Sequence, residues 1–156
     1  MLGKRKSALV LYHSKTGHTA DAAEAVARGL ESRRVKATVK RVSEARPEEL
    51  ADYTVIAVGS PTRGAKPARV VKRFLKKLDE KALKGKTATA FSAYAGFRGK
   101  ATVRRIGRLL RRRKAKVLRG VAVKAGAPLS LWKGPDIKEE DIRRLEDLGR
   151  RLAKKA

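Results

Sequence analysis

Residues 7–19 read SALVLYHSKTGHT, an apolar run followed by a small polar loop. The run Ser7–Tyr12 is rich in Leu and Val and is typical of a buried strand. A helical pattern extends from Gly17 to Arg33, with apolar residues at spacings of three and four. These inward-facing residues are Ala22, Ala23, Val26, Ala27 and Leu30. The stretch therefore predicts a strand, a turn and a helix in succession.

The same alternation continues along the rest of the chain. Further strands are predicted at Val35–Val42, Tyr53–Val58, Thr87–Ala93 and Val117–Val123, and Gly59, Ser60 and Pro61 are expected to end the third strand. Further helices are predicted at Ala68–Leu78, Thr102–Lys114 and Ile137–Lys154, with Asp136 as the cap of the last one. Short connections between strands and helices favour parallel strands joined by right-handed crossovers. We therefore expect one α/β domain over residues 1–156, a five-stranded doubly wound parallel sheet between two layers of helices.

The composition is strongly basic. Lys and Arg number 41 against 15 Asp and Glu, a formal net charge of +26, while 42% of the residues are hydrophobic, too many for a disordered tail. The absence of Cys excludes disulfides, thiolate metal sites and a cysteine nucleophile. Asn and Gln are also absent, which indicates a protein from a hot environment. The apolar run near the start is too short for a signal peptide or a membrane span, so we expect a cytoplasmic protein with no membrane insertion.

The loop Ser14–Thr19 carries the strongest chemical signal. It offers three hydroxyls, a glycine and a lysine between a strand and the start of a helix, where successive backbone N–H groups can bind an anion. Helix capping alone would be a simpler interpretation, but it requires fewer such groups. The spacing of a Walker A loop and the three glycines of a dinucleotide fingerprint are both missing. We therefore predict a phosphate site of another type.

Three loops resemble those of the flavodoxin-like family. The family's phosphate loop follows the pattern Ser/Thr-x-Thr-Gly-x-Thr, which Ser14, Thr16, Gly17 and Thr19 match. The run Val58–Thr62 resembles the loop after the third strand, and Ser92–Gly99, reading SAYAGFRG, the loop after the fourth. The resemblance extends in order and spacing from Ser7 to Lys154. It implies the family's strand order 2-1-3-4-5, with FMN at the point where that order reverses.

The resemblance also implies the residues that contact FMN. The phosphate would be held by Ser14, Lys15, Thr16, Gly17, His18 and Thr19. One side of the flavin would be lined from Ser60, Pro61, Thr62, Arg63 and Gly64. The other side would be lined from Ser92, Tyr94, Ala95, Gly96, Phe97 and Gly99.

Three of these side chains keep an alternative interpretation. Tyr94 has an aromatic ring that can stack on the flavin, but it can equally be a half-buried core residue. Phe97 can stack in the same way or act as a hydrophobic staple for the next helix. His18 can donate to the phosphate or simply face solvent.

The first functional hypothesis is an FMN electron-transfer protein in which no side chain acts as acid or base, so neither catalytic nor metal-binding residues are expected. The second is an FMN-dependent NAD(P)H:quinone reductase, because the string Pro61-Thr62-Arg63 resembles the quinone reductase branch of the superfamily. Many flavodoxins have a bulky aromatic in that loop, whereas this chain has Arg63 and Gly64. The third is a basic nucleic-acid-binding module that has lost the cofactor.

The charge suggests the partners. Arg104–Lys116 lacks acidic residues, and we expect Arg104, Arg105, Arg108 and Arg111–Lys114 to project outward from the helix. Such a surface should attract an acidic redox partner and bind nucleic acid without specificity at low salt. Trp132 is expected to anchor the last long loop, and the oligomeric state stays open.

Overall fold

One parallel sheet forms the centre of the molecule. The structure is a computed structural model that describes residues 6–126 and 136–156. Numbered in chain order, the strands are β1 (Ser7–Tyr12), β2 (Lys36–Arg41), β3 (Val55–Arg63), β4 (Lys66–Pro67), β5 (Thr87–Tyr94), β6 (Lys116–Val117) and β7 (Val121–Lys124). The order across the sheet is β2-β1-β3-β5, and β6 and β7 together occupy the last position. The expected order 2-1-3-4-5 is therefore confirmed, with β4 added as a short antiparallel partner of β3.

Helices cover both faces of the sheet. They are α1 (His18–Glu31), α2 (Arg69–Lys77), α3 (Gly99–Arg112) and α4 (Glu139–Ala153). α1 and α4 lie on one face, and α2 and α3 on the other. Successive residues of β1 point to opposite sides, so Ala8 and Val10 join the first core while Leu9 and Leu11 join the second. None of these helices is both long and apolar enough to cross a bilayer.

The third strand is longer than the sequence predicts. Gly59, Ser60 and Pro61 do not end it, and β3 continues to Arg63. Its neighbour β1 ends opposite Gly59, whereas pairing with β5 continues as far as Pro61 opposite Ala93. A proline is tolerated there because its missing N–H faces the side on which β1 has already ended.

The last strand is interrupted by a β-bulge. Ala88 pairs with Val117 and Phe91 with Val121, so three residues of the edge strand face two of β5. Gly120 allows this, because a Cβ there would lie 2.0 Å from the carbonyl oxygen of Ala90. The predicted continuous strand Val117–Val123 is therefore two short strands.

Two further predictions are corrected at helix ends. α4 begins at Glu139 with Lys138 as its N-cap residue, so Asp136 is not the cap. Arg113 does not project outward with its neighbours, because its guanidinium donates to the carbonyls of Leu75 (3.1 Å) and Lys76 (2.9 Å) at the end of α2. Trp132 lies outside the described residues.

The backbones of α1 and α4 touch. A Cβ at Gly29 would lie 1.9 Å from the carbonyl oxygen of Glu146, and a Cβ at Gly149 would lie 2.1 Å from that of Val26. Only residues without side chains fit at these two positions. Beside the contact, Nε of Arg28 lies 3.1 Å from Oε2 of Glu146 across the two helices.

An ion pair ties the segment after β2 to that strand. Nζ of Lys40 lies 2.8 Å from Oε2 of Glu49, in the 3-10 turn Pro47–Asp52. The hydrogen bond to Glu49 raises the pKa of Lys40 above its usual 10.5. The same bond lowers the pKa of Glu49 below its usual 4.5.

Substituting Gly149→Ala should separate α1 from α4 and lower the free energy of unfolding by about 1–3 kcal/mol. The matched control is Gly107→Ala in α3, where the new methyl would meet Val117 at an ordinary 3.5 Å. This control should gain roughly 0.5–1 kcal/mol, because alanine is the better helix former. Urea unfolding measures both, and equal stability of the two variants would contradict the close contact.

The Lys40–Glu49 pair should make stability depend on pH in a defined direction. Because the folded pKa of Glu49 is lowered, its contribution is present above pH 4.5 and lost as the pH falls through the lowered value. Because the pKa of Lys40 is raised, its contribution is lost only above pH 10.5. The Tm difference between the native protein and Glu49→Gln should therefore be constant at neutral pH and shrink in acid. Glu48→Gln, a change at an exposed neighbour, should show no such trend.

Candidate cofactor site

Three loops meet at the carboxyl edge of the sheet. β1, β3 and β5 are adjacent, with Tyr12 opposite Gly59 and Gly59 opposite Phe91. Each strand ends within a few residues of these paired positions, so the loops that follow the three strands are neighbours in space. The sequence predicts this meeting of Ser14–Thr19 with the ends of β3 and β5, and the topology provides it.

The first loop forms a tight turn into α1. Gly17, the N-cap residue, has a φ of 100°, in the left-handed region that glycine adopts without strain. The Ser14 Oγ accepts a hydrogen bond from the Gly17 N–H at 3.0 Å. The first helical bond runs from the Asp21 N–H to the Gly17 carbonyl at 2.9 Å. The amides at the start of α1 therefore point outward along the helix axis, the geometry that binds anions at helix N-termini.

The side chains of this loop differ in exposure. Ser14, His18 and Thr19 are buried, Thr16 is half-buried and Lys15 is exposed. The alternative that His18 faces solvent is therefore wrong, since only 4% of that residue is exposed. The hydroxyl of Thr16 and the ammonium of Lys15 remain accessible to a ligand.

Two carboxylates lie beside the loop. Ligand atoms of Asp21, Asp136 and His18 all lie within 4.8 Å of one another. The helix dipole favours negative charge at this end of α1. Asp136 is 115 positions beyond Asp21 in the chain, and the sequence alone does not reveal that the two meet.

Arg41 is a supporting residue that sequence reasoning missed. Its Nη1 donates to the Ser14 carbonyl at 3.1 Å, and its guanidinium carbon lies 5.3 Å from the centre of the Tyr12 ring. It reaches both because Arg41 and Tyr12 are paired at the ends of β2 and β1. The parallel pairing of the first two strands was the available signal, since it places the end of β2 beside the first loop.

Hydroxyls join the second loop to the third. The Ser60 Oγ is buried, donates to the Pro61 carbonyl and accepts from the Ala68 N–H, both at 2.8 Å. The Oγ atoms of Thr62 and Ser92 lie 3.0 Å apart and share a hydrogen bond. Ser60 and Ser92 therefore fix the shape of the loops from within.

The second loop is a two-residue hairpin between β3 and β4. Arg63 ends β3, and Gly64 and Ala65 both have positive φ, 56° and 65°. This is the pattern of a type I′ turn, which matches the twist of a two-stranded hairpin. A Cβ at Gly64 would meet nothing within 4 Å, so the turn borders open space.

The third loop presents two aromatic residues differently. Tyr94 is half-buried, and its ring packs so closely on Gly99 that a Cβ there would lie 2.2 Å from Cδ1. Phe97 is 78% exposed. A hydrophobic staple packs against its helix, so the staple interpretation of Phe97 is wrong. Between them, Gly96 borders open space, and Arg98 caps α3 with a φ of 71°.

Comparison with known proteins gives one family and one fold. A family model described as flavodoxin matches residues 10–133, which include all three loops. Among solved structures, a flavodoxin from the domain Archaea superposes with a TM-score of 0.79 at 25% identity, covering 96% of this chain and 97% of that one. The flavodiiron protein from Giardia intestinalis superposes with a TM-score of 0.77 at 24% identity and shares the fold over 36% of its length.

Curated relatives carry another name. The NAD(P)H dehydrogenase (quinone) of Archaeoglobus fulgidus is 33% identical over 114 residues, covering 54% of this chain and 60% of the relative. That of Paracoccus denitrificans is 34% identical over 109 residues, covering 54% of this chain and 52% of the relative. This chain thus spans a little over half the length of the curated relatives that it matches.

Proposed function

We propose, from the premise that the chain belongs to the flavodoxin family, that it is an electron-transfer protein carrying FMN between the three loops. The family binds FMN, which supplies the redox chemistry when bound. The main support for this proposal is the position of the N-terminus of α1. Its backbone amides follow Gly17, point away from the helix and lie beside the ends of β3 and β5.

The phosphate of FMN fits the donors of the first loop. A phosphate dianion needs several N–H and O–H donors, and the outward amides of α1 and the hydroxyls of Thr16 and Thr19 are of that type. Lys15 is exposed and can add a positive charge. Arg41 would act indirectly, because its bond to the Ser14 carbonyl holds the loop in shape.

We place the flavin ring between the other two loops. A Cβ at Gly64 or at Gly96 would meet nothing within 4 Å, so both turns can approach a flat ligand. The exposed ring of Phe97 would lose contact with water by packing on the flavin. Because the Tyr94 ring packs against Gly99, Tyr94 would border the flavin at a fixed position and would not close over it.

Structural likeness favours the carrier. A flavodoxin superposes on the chain with a TM-score of 0.79 at 25% identity. The carrier needs no residue that transfers protons, and we assign none. The basic surface would direct such a carrier toward acidic redox partners, with association slowed by salt.

A flavin reductase is the second candidate. It is favoured by the 33% and 34% identity to two NAD(P)H dehydrogenases (quinone). In that case a nicotinamide would approach the flavin over the turn at Gly64, where no bulky side chain follows Arg63 in the sequence.

Removing one phosphate donor should weaken FMN selectively. Thr16→Val keeps the shape of the side chain but removes a hydrogen bond to a charged group, so FMN affinity should fall roughly 10- to 100-fold. Riboflavin lacks the phosphate, and its affinity should not change. Titration of flavin-free protein with each ligand, followed by flavin fluorescence, measures both. Thr38→Val on β2 is the control, and an equal loss for FMN and riboflavin would place the phosphate elsewhere.

The carrier and the reductase differ in their response to nicotinamides. The FMN-loaded carrier should keep its flavin absorbance at about 450 nm for many minutes after anaerobic mixing with NADH or NADPH. Dithionite added afterwards should bleach it, which proves that the flavin is reducible. Rapid bleaching by either nicotinamide alone, restored by a quinone, would instead establish the reductase.

A further inference from the structure

Positive charge is concentrated in one part of the chain. Residues 53–135 contain 23 Lys and Arg but only two acidic residues, Asp79 and Glu80. The remaining 73 residues contain 18 Lys and Arg and 13 Asp and Glu. Because the first part supplies α2 and α3 while the second supplies α1 and α4, the sheet separates a basic face from a nearly balanced one.

A groove between α2 and α3 gathers these cations. It has a volume of about 530 Å³, and its floor includes Leu109 and Pro67. Two rows of exposed cations line its sides: Arg69, Lys72 and Lys76 on α2, and Arg105, Arg108 and Arg112 on α3. Lys66 also lines it, from β4. This groove is called the basic groove below.

The cations of the basic groove form no ion pair among the described residues. The ion pairs recorded within residues 6–126 and 136–156 join α1 to α4, lie within α4, or fix Glu49 to Lys40 and Arg46. None of them includes a residue of the groove. The like charges around the basic groove repel one another. Binding of an anionic ligand that neutralises several of them would therefore be favoured.

We propose that the basic groove binds the phosphate backbone of nucleic acid. The two rows have the same spacing, three and then four residues, along helices that run parallel on one face of the sheet. From Arg69 to Lys76 a helix rises by about 10.5 Å. A nucleic acid strand carries one charge per roughly 3.4 Å of its axis, so about three phosphates pass each row.

A regular row of anions explains the groove better than an acidic protein does. Phosphates repeat at a fixed interval along a nucleic acid strand, and the cations of each row likewise follow one another along a line. Four of the six row residues are arginines, one on α2 and three on α3, and a guanidinium group can hold two phosphate oxygens at once. The lining contains no aromatic residue on which a base can stack. Binding should therefore read the backbone and not the base sequence.

The test compares two variants of equal net charge. The groove variant is Arg105→Gln, Arg108→Gln and Arg112→Gln. The control removes three exposed cations of the remaining surface: Arg33→Gln, Arg143→Gln and Lys154→Gln. Binding of a labelled 20-base-pair DNA duplex of arbitrary sequence is followed by fluorescence anisotropy between 50 and 300 mM salt, settings of the order at which counterion release is measured.

The groove variant should lose at least tenfold in affinity at about 150 mM salt, and the slope of log K against log salt should fall by up to about 2.7, or 0.9 for each lost phosphate contact. The control should stay within about threefold of the native protein. Equal losses in both variants would mean that net charge alone binds DNA and would overturn the proposal. Tighter groove-dependent binding of poly-glutamate than of DNA would overturn it in favour of an acidic protein. FMN titration of the groove variant, expected to match that of the native protein, reports that its fold is intact.

Discussion

The contact between Gly29 and Gly149 sets how closely α1 can approach α4, and much of the molecule depends on it. Two backbones touch there, with the Arg28–Glu146 pair beside them. The small side chains Ala22, Ala23 and Ala25 let the same helix lie flat on the sheet. α1 is thereby held at a fixed angle, and its N-terminal amides are held beside the ends of β3 and β5. A side chain at either glycine would move the N-terminal end of α1 as well as the core.

The sheet also divides the molecule electrically. Ion pairs connect α1 with α4 and link Glu49 to Lys40 of β2, whereas the ion pairs of the described residues include no cation of α2 or α3. The three loops lie at the carboxyl edge, where these two faces meet. The candidate cofactor site lies at that edge and the basic groove on the α2–α3 face, and the β3–β4 hairpin contributes Gly64 to the first and Lys66 to the second.

The sequence was most informative where a local pattern alone determines structure. The bounds of Ser7–Tyr12 follow from an apolar run that meets a polar loop, and the strand order followed from the family resemblance. The extension of β3 through Pro61 was not predicted, because it depends on where its neighbour β1 ends. Arg41, Asp136 and Arg113 acquire their contacts only through tertiary packing, and no local spacing reveals them.

The bulge between β6 and β7 has a consequence for association between copies of the protein. It lies on the outermost strand, where an unbroken edge would offer a template to the sheet of another molecule, and Arg144 and Arg151 donate there to the carbonyls of Ala122 and Arg119. The extra residue twists this border out of register, and the lysines Lys116 and Lys124 stand at its two ends. The edge that a second copy would meet is therefore interrupted and positively charged. Addition of a strand from another molecule, the step that begins fibril formation, is disfavoured.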